Sequence, residues 1–126
     1  MERIVILGAM RTPIGKFRGG LAPLSAVELG VAACQGALGA AGLEPADVDE
    51  VIMGQARQLG SGPNPARQVA LGFGAPETTV AMTVNKACGS GLKAIDLARA
   101  ALLLEDRGVV VAGGMESMTN LSLIHI

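Results

Sequence analysis

Tryptophan and tyrosine are absent from this sequence, and Phe17 and Phe73 are its only aromatic side chains. A core nearly without rings has to be filled by Ala, Val, Leu, Ile and Met. Cysteine is scarce as well. Cys34 and Cys88 stand far apart and lack metal-ligand spacing, which argues against a zinc site or disulfide scaffold and fits a reducing, cytoplasmic compartment. The single histidine, His125, falls among the last six residues and is read as part of a solvated end, not as a catalyst. Excess charge is missing too. The net charge is −1 and no Lys/Arg cluster occurs, so there is no electrostatic case for nucleic acid. No apolar run approaches the ~20 residues of a membrane span. Residues 1–8 run into patterned sequence without a small-residue cleavage site, which speaks for a first strand and against a secretion signal.

Glycine is what the chain has in abundance, 18 of 126 residues, about twice the usual ~7%. Half of the residues are apolar, and a chain of this length fits one domain with a core of its own. Ile4, Val5, Ile6 and Leu7 form a continuous apolar run, expected to be a strand covered on both faces. A basic loop, Arg11 to Gly20, follows. Ser25 and Glu28 make a capping box, after which Val27, Val31, Cys34 and Leu38 recur at helical intervals until Gly42 and Pro45 end the helix. Gly30, Gly36 and Gly39 inside it imply close packing against another element. Val51-Ile52-Met53 reads as a second strand. Asn64 as cap and Pro65 as first helical residue open a short helix to about Leu71. A third strand runs from Thr79 to Val84, a long helix from near Cys88 to about Leu104, and a fourth strand from Val109 to Ala112. Strands alternating with helices imply a mostly parallel sheet with right-handed crossovers.

The informative stretch lies where the third strand gives way to the long helix. In open α/β sheets, ligands gather at the carboxyl ends of strands. A cysteine at a helix N-terminus there meets unpaired N–H groups and the helix dipole, which favour the thiolate, the form that acts as nucleophile. Gly89, Ser90 and Gly91 leave little bulk beside the Cys88 sulfur, so a thioester has room to approach, and the Cys88 N–H can help hold an oxyanion. Cys34, mid-stripe on an amphipathic helix, reads as an inert core thiol. The same residues fit a rival pattern. Gly89-Ser90-Gly91-Leu92-Lys93-Ala94 matches the dinucleotide fingerprint, with Glu116 placed to meet a ribose, although that fingerprint usually follows the first strand of its sheet. A phosphate-binding P-loop fails, because Phe17 follows Lys16 where Ser or Thr is needed.

Four segments carry a family resemblance: Arg11-Thr12-Pro13-Ile14-Gly15-Lys16-Phe17, Asn64-Pro65-Ala66-Arg67-Gln68, Asn85-Lys86-Ala87-Cys88-Gly89-Ser90-Gly91-Leu92-Lys93-Ala94, and Gly113-Gly114-Met115-Glu116-Ser117-Met118-Thr119-Asn120. In this order they resemble the thiolases, acyl-CoA C-acyltransferases, with Cys88 at the nucleophile's place. The resemblance implies an α/β fold, a thiolase-like N-terminal domain with layered helices around a mostly parallel sheet, stopping after the fourth strand. It implies ping-pong chemistry: Cys88 takes the acyl group of an acyl-CoA, and the carbanion of a second acyl-CoA attacks it to give a 3-ketoacyl-CoA, or the reverse. Coenzyme A is carrier and leaving group, with no metal or redox cofactor, and the whole enzyme is expected to be a homodimer or homotetramer. The family's activating histidine and second cysteine belong to a C-terminal half outside these residues, so the fragment alone is expected not to turn over. Residues 1–120 are assigned to the partial domain and 121–126 to an atypical tail, read as non-native. The alternatives are a ketoacyl synthase-like condensing enzyme, a non-catalytic dimerising fragment, and the dinucleotide binder. Arg11, Lys16, Arg18 and Arg67 are candidates for CoA phosphates, and Met115 and Met118 for an acyl pocket.

Overall fold

Five consecutive buried residues, Glu50–Gly54, form the strand at the centre of the molecule, β1. In the computed structural model, which describes residues 3–121, β1 lies between β2 (Val80–Val84) and β3 (Val110–Gly114) in a parallel sheet of order β2-β1-β3. Glu50 stands opposite Val80 and Val110, and Gly54 opposite Val84 and Gly114, so the three strands end level. Parallel neighbours need long crossovers, supplied here by α1 (Ala26–Ala41), α2 (Pro65–Gly72) and α3 (Ser90–Leu104).

Alternation along β1 divides the core in two. Val51 and Met53 point to one face and pack with Cys34 and Leu38 of α1 and Val69 and Phe73 of the α2 region. Ile52 points to the other and meets Ala94 and Ala98 of α3. The result is a three-layer arrangement, with α1 and α2 on one side and α3 on the other. Aliphatic side chains fill the α3 face, and aliphatics with Met53, Met115 and the single buried ring of Phe73 fill the other.

Helix boundaries follow local chemistry. The Ser25 hydroxyl accepts from the Glu28 N–H at 3.1 Å while the Glu28 carboxylate accepts from the Ser25 N–H at 2.8 Å, which completes the capping box. Gly42 closes α1 in the left-handed conformation, φ 67°. Asn64 caps α2, its side chain accepting from the Arg67 N–H. Gly30 lets α1 lie on Met53, Val69 and Met115, as expected, but nothing comes within 4 Å of a side chain added at Gly39, so the packing reason fails at that glycine.

The strand expected over residues 4–7 does not form. Those residues pair with no strand, and their side chains are exposed, Ile6 to 82%. An apolar run becomes a strand only where a neighbour takes up its backbone groups. Here the chain runs past α1 instead, with Gly8 against the Ala37 carbonyl and the Ala41 methyl. The sheet of the described residues therefore has three of the four expected strands. The long helix also starts at Ser90, two residues after Cys88. The tail over 122–126, with His125, lies outside the described residues, and Leu121 just before it is buried.

The α3–β3 turn is latched to the sheet by Asp49. Its carboxylate accepts from the Gly108 N–H at 2.7 Å and the Val109 N–H at 2.9 Å. Those bonds, Val109 first and Gly108 second, hold the carboxyl below its ordinary value. A depressed carboxyl pKa contributes stability that is complete above the unfolded-state value of ~3.9 and is lost as pH falls through the lower folded value. The urea midpoint should therefore fall on acidification below about pH 4, and Asp49→Asn should lower the midpoint at neutral pH and shrink the acid-induced fall. Urea titrations of both proteins across that range check it; an unchanged acid limb in the variant would contradict the latch.

Candidate active site

Gly54 and Gly114 end two adjacent strands, and α3 begins directly on top of them. A side chain at Gly54 would place its Cβ 2.4 Å from the Ser90 carbonyl carbon and 2.5 Å from the Ser90 carbonyl oxygen. One at Gly114 would come within 3.2 Å of the Gly91 Cα. Backbone therefore lies on backbone, and the first turn of α3 is seated at the carboxyl edge of the sheet.

The turn over residues 85–89 carries the chain from β2 up to that seat. Asn85 accepts from the Ala87 N–H through Oδ1 and donates to the Ala56 carbonyl through Nδ2, each at 3.0 Å. The Ser90 hydroxyl, buried at 4% exposure, accepts from the Lys86 N–H at 2.8 Å and donates to the Ala87 carbonyl at 2.6 Å. Between these bonds Ala87 adopts φ 47°, a left-handed conformation that costs a residue with a Cβ roughly 1–2 kcal/mol. Cys88 follows at once, and its thiol is free and exposed. The N–H groups of Cys88, Gly91 and Leu92 donate to no acceptor among the described residues. The exposed Cys88 thus directly precedes the N-terminus of a 15-residue helix, whose leading N–H groups and dipole favour negative charge.

Cys34 is the opposite case. It is 4% exposed on α1, and burial pushes its thiol up to about 11. A thiol in that state is neither ionised at neutral pH nor reachable.

The other residues picked out from the sequence separate into used and free. Glu116 is not available to a ribose: its two oxygens accept from the N–H groups of Ala56 and Arg57, at 3.0 and 2.9 Å. That removes the second element of the dinucleotide reading. Arg67 is not available to phosphate, because its guanidinium donates to the carbonyls of Thr79 and Glu77. Arg18 lies over the Phe17 ring, 5.3 Å from its centroid. Arg11, whose guanidinium donates to the neighbouring Thr12 carbonyl at 2.9 Å, and Lys16 line a cleft of about 380 Å³ with Leu29 and Met118. Met115 is a core residue, whereas Met118 is half exposed. Asn64 is more than a cap: it also donates to the Ala81 carbonyl and accepts from the Thr83 hydroxyl, tying α2 to β2. Sequence reasoning left Asn85 and Ser90 without roles. A small hydroxyl residue at the start of a helix was the available signal.

Comparison with known proteins agrees with this geometry. The family model described as the N-terminal domain of thiolase matches residues 4–125. The chain belongs to the thiolase family. It is 51% identical over 121 residues to an acetyl-CoA acetyltransferase of Allochromatium vinosum, covering 96% of this chain and 31% of that one. It is 52% identical over 119 residues to an acetyl-CoA acetyltransferase of Cupriavidus necator, covering 94% and 30%. A thiolase from Ascaris suum solved in complex with coenzyme A superposes with a TM-score of 0.89 at 40% identity, over 91% of this chain and 30% of that one. This thiolase chain thus spans about 30% of the length of the curated relatives it matches.

Two tests follow from the geometry. Gly54→Ala forces backbone apart at the seat of α3, and overpacking of this kind costs about 1–3 kcal/mol or more. A urea midpoint within error of the parent's would contradict the close approach. In the folded thiolase chain at neutral pH, iodoacetamide should alkylate Cys88 and leave Cys34 untouched until denaturant is added. Peptide mass spectrometry reads the two sites, and labelling of Cys34 ahead of Cys88 would overturn the assignment.

Proposed function

We propose that this chain is the nucleophile-bearing portion of an acetyl-CoA acetyltransferase, in which Cys88 carries the acetyl group as a thioester. The observation that carries the reading is the exposed Cys88 thiol, presented on a tight turn at the carboxyl edge of a parallel sheet beside unpaired N–H groups. The names of the similar proteins and the coenzyme A in the Ascaris suum complex support acetyl-CoA as donor.

In the first half-reaction, the Cys88 thiolate attacks the acetyl carbonyl carbon. The tetrahedral oxyanion forms next to the N–H groups at the start of α3. The C–S bond to coenzyme A then breaks, and coenzyme A leaves as a thiolate that takes up a proton from solvent, balancing the one lost by Cys88. In the second half-reaction, the α-carbanion of another acetyl-CoA attacks the acetyl-cysteine and regenerates the thiolate. Coenzyme A is the only carrier this chemistry calls on. The groups that would relay the protons are not among the described residues: these contain no histidine, and Cys34 is sealed in the core. Acetyl transfer onto Cys88 is therefore expected without sustained turnover. No helix among the described residues is long and apolar enough to cross a membrane. Two free thiols fit a cytoplasmic setting, though relatives from Mus musculus and Danio rerio are named as mitochondrial. The whole enzyme is expected to be a homodimer or homotetramer, as the family resemblance implies.

Incubation with acetyl-CoA should add one acetyl group at Cys88, labile to hydroxylamine, in the parent and in Cys34→Ala, and none in Cys88→Ala. Intact and peptide mass spectrometry reads this. Acetylation confined to lysines, or to Cys34, would defeat the reading.

A further inference from the structure

The unusual feature of the turn is that its left-handed residue is an alanine, where glycine would adopt φ 47° without steric cost. Something has to hold it. We infer that Ser90 is the positioning residue of Cys88, with Asn85 as its second anchor: together they clamp Ala87 in the left-handed conformation that turns the Cys88 side chain out of the sheet. The inference rests on Cys88 being the acyl carrier and extends that reading to the residues that aim it.

Ser90 has the properties of such a clamp. It is buried, so its hydroxyl has little water to exchange with, and both its donor and its acceptor capacity are used on the two peptide groups that flank the Lys86–Ala87 step. The Asn85 side chain takes the remaining Ala87 N–H and fastens the turn to Ala56, just beyond β1. Glu116, reaching from beyond β3, holds the N–H of the same Ala56. The turn is thereby referenced to the ends of all three strands. A clamp on a strained alanine makes a distinctive prediction: the need for the clamp should vanish when residue 87 no longer resists the conformation.

The test is a cycle of Ser90→Ala, Ala87→Gly and the double variant, read by amide hydrogen exchange at Gly89. That amide donates to the Lys86 carbonyl at 3.0 Å and hydrogen-bonds to neither altered side chain. Ser90→Ala should speed exchange at Gly89 by about tenfold or more while the amides of Ile52 and Met53 keep their rates. Ala87→Gly alone should change it little, and the double variant should return to within about threefold of the parent. The rate of Cys88 acetylation by acetyl-CoA should fall and recover in the same pattern. Unchanged exchange at Gly89 in Ser90→Ala, an equal rise at Ile52 and Met53, or no recovery in the double variant would overturn the clamp. If Ser90→Ala does not fold, Asn85→Ala, at an exposed position, must loosen Gly89 and be rescued by Ala87→Gly, and failure to do so overturns it equally. Because exchange needs no acetyl transfer, a parent chain that never acetylates defeats the functional reading while the exchange cycle still decides the clamp.

Discussion

The structure depends on one close approach, backbone on backbone, between the start of α3 and the ends of β1 and β3. Gly54 and Gly114 end their strands without a side chain, and Ser90 and Gly91 occupy that space. Were either position filled, α3 would have to lift away. The turn over residues 85–89 spans the gap between β2 and that helix, so its geometry would change with it. The high glycine content of the chain has its clearest use here, at a place where two elements must meet without intervening atoms.

A second tier of polar contacts converts that approach into a defined site. The peptides of Ala56 and Arg57, just past β1, receive Glu116 from one side and Asn85 from the other. Three segments distant in sequence are joined at one short stretch of backbone. These bonds lie at exposed positions and replace bonds to water, so the net gain is in definition of geometry more than in stability. The left-handed Ala87 persists because these contacts leave it no alternative.

The two thiols show how completely setting decides reactivity. Cys34 and Cys88 are chemically the same side chain. One lies in the aliphatic core among Leu38, Val69 and Met53, where desolvation keeps its proton in place. The other stands exposed where three strands end and a helix begins. Of the two, only Cys88 is reachable from solvent, as the proposed acyl carrier of a thiolase chain has to be.

Much of this was legible from the residues in order. The capping box at Ser25 and Glu28, the Asn64-Pro65 start and the Gly42 stop are local chemistry, satisfied within four residues, and they appear where expected. The three strands fall within two residues of their apolar runs, although only β1 is buried along its whole length and Val80 and Met82 of β2 stay exposed. The exposed setting of Cys88 was legible too, from a cysteine followed by three small residues between a strand and a helix. Residues 4–7 failed because a strand is a relation between two segments, and an apolar run does not reveal whether a neighbour is there to pair with it. The roles of Ser90, Asn85, Glu116 and Arg67 were hidden for the same kind of reason. Their partners are peptide groups on other segments, which any sequence supplies alike. Local periodicity and capping thus determined most of the elements and singled out Cys88 as the candidate sulfur, whereas only the folded arrangement decided which apolar runs found a partner strand and which polar groups were already taken.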